Sequence, residues 1–119
     1  MHASIRDGFS EVILVEGLFD FVSLWQAGFR NVTCSLSTHL NSLQLRQLCE
    51  QTDRVVYLAF DSDDNGSGQA AARHLSDYLA QQKVPAKIVA LPPNQDPNTF
   101  FVGGGTACQF RHLLEQARP

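Results

Sequence analysis

The run Val55-Val56-Tyr57-Leu58-Ala59-Phe60 constrains the fold more than any other part of the chain. Its residues are β-branched, aromatic or small and apolar, with no polar alternation. That pattern marks a strand buried on both faces. Such a strand needs covering elements on both sides of its sheet. Glu11-Val12-Ile13-Leu14-Val15 has the same character, and two further short strands are read at Val32-Thr33-Cys34-Ser35-Leu36 and Ala86-Lys87-Ile88-Val89-Ala90-Leu91.

Helical segments separate them. Leu18 to Ala27 carries Leu18, Phe19, Val22 and Trp25, with Phe21 beside them, as an apolar face, and Gly28 stands where a C-cap is expected. A helix over about 42–51 carries Leu43, Leu45 and Leu48, and one over Gln69 to about Gln82 carries Ala72, Leu75 and Leu79. After the Pro92–Asn98 loop, a short helical turn is expected at Thr99–Val102, broken by Gly103-Gly104-Gly105. Thr106 is placed to cap a last helix, Ala107 to Gln116, with Phe110, Leu113 and Leu114 on one face. Trp25 and the phenylalanines are read as core, not as base-stacking platforms, because they fall on helix and strand faces. The order β-α-β-α-β-α-β-α predicts an α/β fold of about four parallel strands with helices on both faces. The 119 residues suffice for one domain with a real core and are too few for two.

Composition narrows the function. The net charge is −3, and the nine Lys and Arg are scattered without a basic run, so a nucleic-acid grip would have to come mostly from elsewhere. Cys34, Cys49 and Cys108 lack the paired spacing of a zinc ribbon and are read as buried or semi-exposed thiols. No apolar run approaches the roughly 20 residues of a bilayer span. The N-terminal residues hold no apolar signal core. The expectation is no membrane association and a cytoplasmic location.

Asp61-Ser62-Asp63 follows the central strand. Carboxylates at i and i+2 point to one side of an extended chain and repel, so at least one pKa rises unless a cation sits between them. Mg²⁺ favours carboxylate oxygen and bridges to phosphates. Taken alone, the pair is equally an acidic loop with a turn at Asp64-Asn65-Gly66. Other acids tip the balance. Glu16 ends the first strand, Asp20 follows four residues later, and Asp96 lies beyond the fourth strand. Ligands of open α/β sheets sit at the carboxyl ends of strands, where strand order switches. If the first and third strands are neighbours, the acids share one edge, and a Mg²⁺ or Mn²⁺ site is the economical explanation. Gly17 lets the backbone come close to a ligand there. Asn65-Gly66-Ser67-Gly68, ahead of a helix, is weak evidence for a phosphate loop, because it lacks the Gly-Lys-Ser/Thr ending.

Val15-Glu16-Gly17-Leu18-Phe19-Asp20, Asp61-x-Asp63 with Asn65-Gly66-x-Gly68-Gln69, and Asp96-Pro97 together resemble the Toprim domain, a Rossmann-like fold. That domain is shared by bacterial DnaG-type primases, topoisomerases, OLD-family nucleases and RecR-type repair proteins. The likeness is strongest to the primases and to primase-like proteins with a CHC2 zinc finger, through Glu16 to Gly28 and the late Asp-Pro. It spans about Glu11 to Asn98, with the C-terminal helix at about 106–117 outside that core, and implies a single Toprim domain over 1–119.

The resemblance implies Glu16 as general acid/base and Asp61 and Asp63 as the metal pair, with Asp20 and Asp96 as further acids of the metal cluster. It implies Mg-dependent nucleotidyl transfer, that is, RNA primer synthesis in DNA replication. Single-stranded DNA template and nucleoside triphosphates would be engaged through the full-length protein, and a replicative helicase is a possible partner. The chain departs from the primase pattern in Gln95, Asn98 and His39, where primases commonly have Lys, a second acid and a small residue. The zinc-binding and basic polymerase-like segments are missing from this sequence, so an excised or stand-alone domain, incomplete as an enzyme, is expected. A Toprim-type metal-dependent nuclease and a non-catalytic metal- or nucleotide-binding module are the alternatives.

Overall fold

The computed structural model describes residues 11–34, 55–62 and 66–118. Four strands, β1 (Glu11–Val15), β2 (Val32–Cys34), β3 (Val55–Leu58) and β4 (Ala86–Ile88), form one sheet in the order β2-β1-β3-β4. Every neighbouring pair is parallel. Among the described residues, four helices connect and cover them: α1 (Leu18–Gln26), α2 (Ser67–Gln81), α3 (Pro97–Val102) and α4 (Ala107–Glu115). The expected helix over 42–51 lies outside the described residues.

Side-chain alternation along the strands separates two cores. Val12, Leu14, Val56 and Leu58 point toward Ala72 and Leu79 of α2. Ile13, Val15 and Val32 point the other way, toward Leu24 of α1 and Phe110 of α4. Both faces of the sheet are therefore dry, as the uninterrupted apolar runs require. β1 and β3 are adjacent, and from that seam the chain winds outward in opposite directions. The carboxyl ends of β1 and β3 thus meet where strand order reverses, the place where such sheets bind ligands.

Helix α1 departs from the expected packing. Leu18, Phe19, Val22 and Trp25 are exposed, whereas Asp20 and Leu24 are its buried residues. The face turned inward carries Leu24, with Phe21 and Ala27 packed against the same core, and polar contacts to α3 accompany it. The Asn98 amide donates to Asp20 Oδ1 at 2.9 Å, and Ser23 Oγ donates to Asn98 Oδ1 at 2.8 Å. Trp25 lies under the Arg30 guanidinium, 4.4 Å from its centroid, and beside Phe21.

Helix ends are set by local chemistry. After α1, the Phe29 amide donates to Leu24 O and the Gly28 amide to Trp25 O, with Gly28 at φ 104°. This is a Schellman closure with glycine at the left-handed position. Helix α2 closes in the same way through Val84 to Leu79 and Lys83 to Ala80, but the left-handed residue there is Lys83, at φ 64°. Helix α3 ends likewise, with Gly104 at φ 103°, and a Cβ on Gly105 would lie 2.4 Å from the Phe100 ring. Thr106 caps α4 through a reciprocal pair with Gln109. Cys34 is buried and Cys108 is exposed, while Cys49 lies outside the described residues. Among the described residues no helix is long and apolar enough to cross a membrane.

Candidate metal centre

The chain leaves β1 at Glu16 and enters α1 through the extended residue Gly17. Asp20 stands at the third position of that helix, and its carboxylate turns inward. A Cβ on Gly17 would lie 3.1 Å from Asp20 Oδ2, so the close approach that glycine permits here is to the Asp20 carboxylate. On the other side of the seam, the backbone amide of Asp61 donates to Glu16 Oε1 at 2.9 Å. The Glu16 side chain thereby ties the end of β1 to the turn beyond β3.

The third acid arrives through backbone pairing. Ser62 and Gln95 form an isolated antiparallel bridge, in which the Ser62 amide donates to Gln95 O at 2.9 Å and the Asn94 amide donates to Ser62 O. Their neighbours Asp61 and Asp96 are thus drawn to the same point. Asp96 also caps α3. Its Oδ1 accepts from the Thr99 amide at 2.8 Å, Thr99 Oγ1 accepts from the Asp96 amide at 2.9 Å, and Pro97 fills the first helical position. The turn-forming role suggested by Asp96-Pro97 and the cluster role therefore belong to the same residue.

One carboxylate oxygen each from Asp20, Asp61 and Asp96 lies within 4.8 Å of the others. Asp20 is buried, and Asp61 and Asp96 are half-buried. Burial, the chief cause, pushes the Asp20 pKa up from 3.8 to about 7. The Asn98 amide opposes that shift, while the charges of Asp96 and Asp61 and a hydrogen bond shared with Asp96 reinforce it. A desolvated carboxylate crowded by two others is the environment that a divalent cation relieves. Three oxygen donors around one point fit a hard cation of the Mg²⁺ type. Glu16, Asp20, Asp61, Asp96 and Asn98 line a cleft of about 330 Å³ there, together with Gly17 and Phe19.

Of the sequence-predicted acids, Asp20, Asp61 and Asp96 converge, Glu16 flanks them with one oxygen held by the Asp61 amide, and Asp63 lies outside the described residues. Gly66, at φ 72°, leads into α2, and Gly68 abuts the Asp61 backbone, where an added Cβ would meet Asp61 O at 2.3 Å. Gly68 therefore serves packing against the site. Asn98 and the Ser62–Gln95 bridge were not legible as site components. The sequence marked Gln95 and Asn98 only as departures from the primase pattern, at the positions of a Lys and a second acid, and held no signal for the bridge.

The family profile for Toprim-like proteins matches residues 13–101. A DNA primase of Clostridium acetobutylicum is 36% identical over 106 residues, covering 89% of this chain and 17% of that protein. A DNA primase of Aquifex aeolicus is 37% identical over 112 residues, covering 94% of this chain and 21% of that protein. The chain thus spans about a fifth or less of these relatives' length. Among solved structures, the crystal structure of the Aquifex aeolicus primase zinc-binding and RNA polymerase domains superposes with a TM-score of 0.77 at 32% identity, over 91% of this chain and 26% of that one. The DnaG primase catalytic domain bound to single-stranded DNA superposes with a TM-score of 0.78 at 25% identity, over 99% of this chain and 37% of that one. With the strand order, the acidic seam and a match over most of its length, the chain belongs to the Toprim-like family.

Proposed function

We propose that this chain is the metal-binding catalytic module of a primase-type nucleotidyltransferase, a single Toprim domain over residues 1–119 that is incomplete as an enzyme by itself. The observation that carries the reading is the convergence of Asp20, Asp61 and Asp96 oxygens within 4.8 Å at the switch point of the sheet. Its relatives at 36–37% identity are DNA primases, which supports primer synthesis in replication over other phosphoryl chemistry.

In this reading Asp20, Asp61 and Asp96 hold Mg²⁺ or Mn²⁺, with Asp63 as a further ligand. The cation supplies charge neutralisation to a nucleoside triphosphate and to the attacking 3′-oxygen. The chain's own residues set the geometry. Glu16 fixes the Asp61 backbone through one oxygen and is the group assigned to proton transfer or to ligation. Asn98 orients Asp20 through its amide, and Asp96 is held by the cap of α3. A net charge of −3 leaves the grip on the template to other segments of an intact protein. The partners that go with this reading are single-stranded DNA, nucleoside triphosphates and, by resemblance alone, a replicative helicase. A cytoplasmic location accompanies that role.

The test joins this module to the zinc-binding and polymerase-like segments of a primase relative. Primer synthesis on single-stranded DNA, abolished by Asp61→Ala and without plasmid nicking, is the expected result. Metal-dependent nicking without synthesis would replace the primase reading with a nuclease.

A further inference from the structure

Phe19 is three-quarters exposed, at 75%, on the first turn of α1 and lines the acidic cleft. Phe21, Phe29, Phe60, Phe100, Phe101 and Phe110 all sit in or against one of the two cores, and Phe19 alone among the described phenylalanines does not. It joins none of the ring pairs found among the described residues. It is also the sole apolar side chain among the described residues lining the cleft. The fold therefore makes no evident use of this ring, and its place beside Asp20 sets it next to the proposed metal.

We infer that Phe19 is a base-stacking residue, receiving the nucleobase of a nucleotide whose phosphates are held at the Asp20–Asp61–Asp96 cluster. The inference rests on the metal reading and deepens it by naming how the nucleoside end is held. A cation in the cleft attracts phosphate, and the base of the same nucleotide then lies within one nucleotide length of the cleft wall. An aromatic face accepts any base, because every base has a π-face. Carboxylates and an amide make up the rest of the cleft wall, which suits a phosphate–cation pair. Leu18, Val22 and Trp25 are also exposed on α1, but they do not line the cleft and have no part in this assignment.

The test compares ATP with inorganic tripolyphosphate, each titrated calorimetrically in Mg²⁺ against wild-type chain, Phe19→Ala, Phe19→Leu and Phe19→Tyr. Tripolyphosphate presents three linked phosphates without the nucleoside, so the change in the ratio of the two affinities from wild type to each Phe19 variant reads what the ring contributes. Wild type is expected to prefer ATP by about tenfold or more. Phe19→Tyr should keep that preference. Phe19→Ala and Phe19→Leu should lose it while binding tripolyphosphate as wild type does. Mg²⁺-induced thermal stabilisation should persist in all three variants, which shows that the metal cluster is intact. Equal binding of ATP and tripolyphosphate by wild type, or a preference that survives in Phe19→Leu, overturns the stacking role and leaves the metal reading standing. A wild type that binds neither compound and gains no stability from Mg²⁺ overturns both.

Discussion

Gly68 sits so close to Asp61 that a Cβ added to it would lie 2.3 Å from the Asp61 carbonyl oxygen and 3.2 Å from the Asp61 Cβ. The first turn of α2 is therefore the floor on which a cluster aspartate rests. Gly68→Ala must push that helix start away from backbone that cannot give, at a cost typical of overpacking, about 1–3 kcal/mol. The Mg²⁺ response should fall with it, because Asp61 moves. Thermal melts with and without Mg²⁺ check this, and an unchanged melting temperature together with an unchanged metal response would refute the contact.

Asp96 combines two roles that substitution separates. Asp96→Asn keeps an oxygen for the Thr99 amide and should leave stability within about 0.5 kcal/mol, since Asn and Asp cap equally well. Asp96→Ala loses the cap and should cost about 0.5–2 kcal/mol. Both should weaken Mg²⁺ binding. Urea unfolding paired with metal titration distinguishes the roles, and a neutral asparagine variant that bound Mg²⁺ like wild type would remove Asp96 from the cluster.

The Asp20 proton makes the metal-free chain pH-sensitive. The folded chain takes up this proton at about 7, against 3.8 ordinarily, so between those values it binds more protons than the unfolded chain. The stability that Asp20 contributes is thus full below about pH 4 and is lost as pH rises through 7, a change on the order of 2–4 kcal/mol. Asp20→Asn removes this dependence and can still accept from the Asn98 amide. At pH 8 in chelator, the variant should melt above wild type, and near pH 4 the gap should close. Parallel melting curves across that range would contradict the assignment.

Glu16 Oε1 receives the Asp61 amide at 2.9 Å. Glu16→Gln preserves an acceptor and should fold with wild-type stability, whereas Glu16→Ala should cost about 1 kcal/mol. Any loss of primer synthesis in the glutamine variant, within an intact primase, would then report the carboxylate's chemistry and not its structural tie.

Lys83 occupies the left-handed position that closes α2, where Gly28 and Gly104 serve α1 and α3. Relief of the left-handed penalty is worth about 1–2 kcal/mol, less the 0.4–1 kcal/mol that glycine adds to unfolded-chain entropy. Lys83→Gly should therefore raise stability by up to about 1.5 kcal/mol in chemical denaturation, and a destabilised variant would show that the lysine side chain has a packing role.

The sheet was legible because its cause is local. Val12–Val15 and Val55–Phe60 are apolar at consecutive positions, and such runs have few other places to be. Glu16 and Asp61 could be set at one edge once β1 and β3 were taken as neighbours. The inward face of α1 could not be read in this way. Leu18, Val22 and Trp25 have helical spacing, but so do Phe21, Leu24 and Ala27, and it is the second set that meets the core, while Asp20 on the same side is met by Asn98, 78 positions away. Likewise, the Ser62–Gln95 bridge joins two loops whose sequences hold no pairing signal.

That bridge has a thermodynamic consequence. It fastens the Asp61 and Asp96 turns to each other through backbone hydrogen bonds, whose donors and acceptors are supplied by the chain itself. The ordering entropy of the donor set is therefore spent when the chain folds, and the carboxylates are held in a repulsion they would otherwise relax by separating. An arriving cation finds its donors already assembled and discharges their strain, so its affinity draws on work done by the rest of the fold.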